Sequence, residues 1–170
     1  MAWVWELAAE NETREDAQRF VDSFDVSPIV IGSLTVRLHA SVHNEDGWWG
    51  LIIPHLSDGP DWPRSYLCGH GGASNEAEAQ LLTSVGKVLY SRLAKAHPYR
   101  FAAVGVEVCA WISVKELTER LREEPVVTGL SGLVLARQVW EDVGKPGGFE
   151  LFGDGDVWIP WAGESVPQRP

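Results

Sequence analysis

Five histidines, His39, His43, His55, His70 and His97, and two cysteines, Cys68 and Cys109, are the residues of this chain best suited to metal ligation or nucleophilic chemistry. His39 and His43 have the i,i+4 spacing of a helical zinc pair. The residues around them read as a strand, however, and there four residues span about 13 Å, too far for both rings to reach one metal. Cys68 and His70 could form a thiol–imidazole pair, but a separation of two carries little specificity. Gly69-His70-Gly71-Gly72 runs into a helix, where backbone N–H groups can hold an anion. It lacks the lysine and spacing of a phosphate loop and departs from the dinucleotide fingerprint, which favours a plain connector. Glu150, Asp154 and Asp156 suggest a calcium loop without its full ligand spacing or closing glutamate, so turn formation and solubility are the better account. There is no GxSxG elbow, HExxH, paired CxxC, kinase or Walker sequence. The expectation is therefore no catalytic residue, no metal and no cofactor, with one question open: whether the scattered histidines converge in space.

The elements that must position these residues centre on Ile29–His55, which reads as two long strands joined at Asn44-Glu45-Asp46-Gly47. Leu34, Val36, Leu38, Ala40 and Val42 alternate with Thr35, Arg37, His39, Ser41 and His43, the period of a half-buried strand in an antiparallel sheet. Asp-Gly supplies the turn chemistry. With Glu45 and Asp46 at the tip, His43 lies opposite Trp48, Val42 opposite Trp49 and His39 opposite Ile52. Trp49, Leu51 and Ile53 then enter the core beside Val42, Ala40 and Leu38. Arg37, His39, His43, Trp48 and Ile52 share the outer face, with Glu45 and Asp46 at its end. A slip of one residue would exchange the faces. Either another element covers that outer face or it is a recognition surface, since Trp and Arg are over-represented at binding hot spots.

Elsewhere, Trp3, Trp5 and Leu7 suggest a first strand, and Asn11 can cap a short helix with Ala17, Phe20, Val21 and Phe24 as its apolar stripe. The stretch from Leu56 to Ser74 is rich in loop residues, and its length makes it functional or a cover over an edge. A strong helix opens near Ser74 or Asn75, with Glu78 placed as in a capping box, and carries Leu81, Leu82, Val85, Val88, Leu89 and Leu93. A strand through Val104–Ile112 follows, and then a helix capped by Ser113 with Glu116. Leu133–Trp140 fits strand better than helix, and Phe149–Phe152 with Asp156–Trp161 forms a terminal hairpin about Gly153-Asp154-Gly155. These elements predict one α+β domain over residues 1–162: a mostly antiparallel sheet of about six strands with about three helices, chiefly on one face. Residues 163–170 read as a flexible tail.

With 170 residues, the chain is long enough to bury about 70% of its unfolded surface. Its 24 acidic and 14 basic residues give a net charge of −10, which repels phosphate backbones, argues against direct nucleic-acid binding and suits a basic partner. Nine tryptophans are many for this length; most belong in a core, and a few outside it favour recognition. No run approaches membrane-spanning length. The opening MAWVWELAAE lacks a basic start and a continuous apolar segment, so a cytoplasmic setting is expected, with two free thiols as the default and one disulfide as the alternative.

A small, acidic, tryptophan-rich α+β chain with segments such as VWEDVGKPGGFELFGDGDVWIPW resembles the immunity proteins of bacterial polymorphic toxin systems. The resemblance lies in the character of the whole chain, and no functional residue is carried over. It implies a non-enzymatic inhibitor that binds a toxin domain, a basic one by charge, and blocks it. Two alternatives stand beside it. One is a small-molecule enzyme or ligand-binding domain built from residues 56–74 and nearby histidines. The other is an assembly subunit marked by a self-complementary apolar face.

Overall fold

The computed structural model describes residues 4–56, 73–108, 113–123 and 129–166. Strand β1 (Trp5–Asn11) is the centre of the molecule and is buried along its whole length. It sits between β4 (Trp48–His55) and β5 (Phe101–Val106), antiparallel to both. The sheet extends outward from β4 through β3 (Leu34–Asn44) to β2 (Ile29–Ile31). On the other side it continues from β5 through β6 (Val134–Leu135) and β8 (Asp156–Trp158) to β7 (Glu150–Phe152). All eight strands are antiparallel to their neighbours, which makes this an α+β fold around one sheet.

Helices lie on both faces rather than chiefly on one. Trp5, Leu7 and Ala9 of β1 belong to a core with α1 (Arg14–Ser23) and α2 (Glu76–Leu93). Ala8 belongs to the opposite core with α3 (Val114–Glu123) and the residues around α4 (Arg137–Asp142). Period-2 alternation sends successive β1 side chains to opposite cores, so this central strand is covered twice, with Glu6, Glu10 and Asn11 buried among its apolar residues. The helix starts follow local hydrogen bonding. Asn75 Oδ1 accepts from Glu78 N at 2.9 Å, and the Glu78 carboxylate accepts from Ser74 N at 2.6 Å. Ser113 and Glu116 make the reciprocal pair, 3.2 and 3.0 Å, that their spacing predicts. Helix α1 is capped by Thr13, not by Asn11, which is still in β1 and is buried.

Among the described residues there are eight strands and four helices, against about six and three expected. Gly32-Ser33 turns the chain back after three residues, so Ile29–Ile31 is a separate strand paired to Leu34–Val36. Leu133–Trp140 divides into the two-residue β6 and the start of α4 rather than forming one strand. The terminal hairpin about Gly153–Gly155 forms as expected. The expected strand Val104–Ile112 begins earlier, at Phe101, and leaves extended geometry at Glu107, whose φ is +46°. Residues 109–112 lie outside the described residues, as do Gly69-His70-Gly71-Gly72, Cys68, Cys109 and residues 167–170 of the expected tail.

Candidate recognition edge on strand β3

The hairpin that carries the predicted site turns on three residues, Glu45-Asp46-Gly47, closed by the pair Asn44 and Trp48. Asp46 takes a left-handed conformation with φ +48°, and the Asn44 side-chain amide donates to Gly47 O at 3.1 Å. This is one loop residue more than a tip of Glu45 and Asp46 alone, and it moves the whole register by one. His43 therefore lies opposite Trp49, His39 opposite Ile53 and Arg37 opposite His55, while Ala40 lies opposite Ile52.

That shift divides the predicted surface. Arg37, His39 and His43 remain exposed on one face of β3, with Glu45 and Asp46 exposed at the tip. Ile52 is fully buried on the other face, opposite Leu7 of β1. Trp48 is half-buried on that same other face, opposite Asn11. The row on β3 contains Ser41 as well, which the sequence reading left out of the site. Trp49, Leu51 and Ile53 do enter a core, but the one shared with Phe101 and α3 rather than the one beside Leu38 and Ala40.

Strand β2 covers β3 only at Leu34, Val36 and the Thr35 between them. From Arg37 to Asn44, β3 is paired to β4 on one side and has no strand on the other among the described residues. Backbone polar groups along such an edge are a template for another chain, and charged side chains there limit which chain can add.

The tip is held from beneath. Trp49 Nε1 donates to Glu45 O at 2.9 Å, and the indole meets Phe101 edge-on at 5.3 Å. Gly47 rests against Glu10: a Cβ at this glycine would come within 3.3 Å of Glu10 Oε1. Glu10 is fully buried at the end of β1, where Arg100 donates to both of its oxygens, Nε at 2.8 Å and Nη2 at 2.5 Å. Burial raises the Glu10 carboxyl above its ordinary range, and the Arg100 guanidinium works against that rise without cancelling it. The same hydrogen bonds hold Arg100 above its usual value. His43 Nε2 lies 3.2 Å from Glu45 Oε2, with both groups about half exposed. Sequence reading missed Glu10 and Arg100, which are 90 residues apart and carry no motif.

Among the described residues, His55 lies opposite Arg37 and so beside this row, while His97 lies elsewhere; His70 is outside the described residues. His55 is buried at the end of β4, and His97 stacks on Tyr99 at 5.3 Å with Nδ1 4.0 Å from Asp156. Among the described residues no group of three His, Cys, Asp or Glu side chains is arranged to hold a metal ion. Asp154 is exposed in the terminal turn, while Asp156 accepts the Tyr99 hydroxyl at 2.6 Å. No described helix is long and apolar enough to cross a membrane. No protein-family model, no curated protein and no solved structure matches this chain.

Proposed function

We propose that this protein is a non-enzymatic binding protein, of the kind implied by the resemblance to immunity proteins, that takes a basic protein domain along the outer edge of β3. The observation that carries this reading is the eight-residue run from Arg37 to Asn44 with no described strand on its outer side. An extended segment of a partner can add there, with main-chain hydrogen bonds giving affinity and the flanking side chains giving specificity. Glu45 and Asp46 at the tip attract cationic groups, and a net charge of −10 steers a basic partner over longer range. The same field repels nucleic-acid backbones, so the target is protein, and in an inhibitor role the complex forms in the cytoplasm.

A pull-down at low and high salt identifies the partner, and titration calorimetry then measures its affinity for variants. Arg37→Ala with His39→Ala, and Glu45→Lys with Asp46→Lys, are each expected to weaken the complex by about 2 kcal/mol or more. Affinity for the unmodified protein should fall as salt screens the charges. Unchanged affinity in both double variants would remove β3 from the interface.

A further inference from the structure

At the opposite end of the sheet from β3, α2, the last two strands and Trp161 line an open cleft of about 350 Å³. That volume is within the roughly 300–1,000 Å³ of sites that take small ligands. Its walls are rings. Tyr90 lies 5.4 Å from both Trp158 and Trp161, and Phe152 lies 5.2 Å from Trp158. Two glycines make this approach possible. A Cβ on Gly86 of α2 would stand 2.2 Å from Trp161 Cη2, and one on Gly132 would stand 2.2 Å from the Tyr90 hydroxyl.

The polar groups of the cleft divide into used and unused. Tyr90 donates to Gly132 O at 2.8 Å and accepts from Val104 N at 3.1 Å, so its hydroxyl is committed and its ring is what it offers. Burial also holds that phenol protonated well above its usual range. Lys87 is the charged side chain of the lining, and it is exposed without an ion pair to any described residue. Ser91, one turn further along α2, has no hydrogen bond to any described residue. Residues four apart share one helix face, so an ammonium and a hydroxyl stand together above an aromatic wall.

We propose that this cleft binds a small planar aromatic carboxylate. The ring stacks against Trp158 and Trp161, and the carboxylate accepts from the Lys87 ammonium and the Ser91 hydroxyl. Offset and edge-on contacts between rings supply the apolar part of recognition. A charge-assisted hydrogen bond to the ammonium supplies preference for an anion over a neutral isostere. A cationic ligand, the other usual guest of aromatic walls, is disfavoured by Lys87.

The test uses the full chain labelled with 5-fluorotryptophan and titrated with indole-3-acetate or its neutral amide, followed by ¹⁹F NMR. Trp158→Phe and Trp161→Phe assign the two resonances. Both resonances should shift saturably with the acid, and the amide should bind roughly tenfold more weakly. Lys87→Met, on the exposed side of a helix, should reduce affinity for the acid to that for the amide and leave the amide unchanged. Equal affinity for acid and amide, or no effect of Lys87→Met on the acid, overturns the carboxylate site. Absence of a saturable shift at Trp158 and Trp161 in the folded, well-dispersed protein overturns the cleft as a ligand site. Gly86→Ala, which displaces the Trp161 ring, is a second check and should abolish binding of both probes while the remaining resonances stay dispersed. Persistence of binding in Gly86→Ala also counts against the site. Neither result bears on β3, which lies at the far end of the sheet.

Discussion

At one end of the sheet β3 runs for 11 residues, and β2 covers only its first three; at the other, β7 and β8 are three residues each, with aromatic rings packed over one face. The long edge carries the exposed Arg37, His39 and His43 with the half-buried Ser41 between them, and charged side chains on an edge deter indiscriminate strand addition. The short edge limits its exposed backbone by length alone, and Tyr90, Phe152, Trp158 and Trp161 convert the face beside it into a packed wall and a cleft. An edge left long is suited to recognition through the backbone. An edge kept short, with rings beside it, is suited to recognition through side chains. The two ends also differ in support: the hairpin tip rests on a buried carboxylate paired to a partly exposed guanidinium, whereas the aromatic end rests on one phenol that satisfies two backbone groups.

The ion pair is where this contrast can be broken most forcefully. Arg100→Met leaves the fully buried Glu10 carboxylate without its cationic partner; because the Arg100 side chain is itself 36% exposed, solvent screening brings the cost to the low end of that for a buried pair, about 3 kcal/mol. Because Glu10 touches Gly47, the damage should be concentrated at the hairpin. Urea unfolding should show the loss, and hydrogen exchange should show reduced protection near Trp48–Gly50 before the aromatic end responds. Uniform loss of protection across the sheet would mean that the two ends are not separately supported.

Tyr90→Phe perturbs the other end by less. It removes the donor to Gly132 O and the acceptor for Val104 N while keeping the ring in place. Leaving buried backbone groups unsatisfied costs about 1–3 kcal/mol. Thermal unfolding should report this, and the affinity of a β3 partner should not change.

How much of this was readable from the chain depends on whether one face of an element is wet. Strand β3 was legible because its residues alternate apolar and polar, and the Ser113–Glu116 and Asn75–Glu78 starts were legible because capping is local in sequence. Strand β4 was not: WWGLIIPH has no polar residue before His55, since both faces are buried, so its register had no pattern to read and depended on the turn. One extra loop residue, Gly47, then moved Ile52 and Trp48 out of the predicted surface. Strands β2 and β6 have three and two residues, too few for periodicity to register. The aromatic cleft is less legible still, because it joins Tyr90 to Trp158 and Trp161 through long-range packing, and its signal is the paired absence of side chains at Gly86 and Gly132.

The smallest effect is the sharpest test of the register. If Trp48 faced outward beside His43, Trp48→Ala would remove a hot spot, worth about 2 kcal/mol or more of partner affinity. In the observed pairing Trp48 stands opposite Asn44 and Asn11, on the face away from Arg37, His39 and His43. The same substitution should then lower the stability of the free protein, since a half-buried indole is lost, yet change partner affinity by no more than about 0.5 kcal/mol. Calorimetric titration below the unfolding range separates the two outcomes. A large affinity loss with unchanged stability would restore Trp48 to the recognition surface and place the partner across both faces of the hairpin.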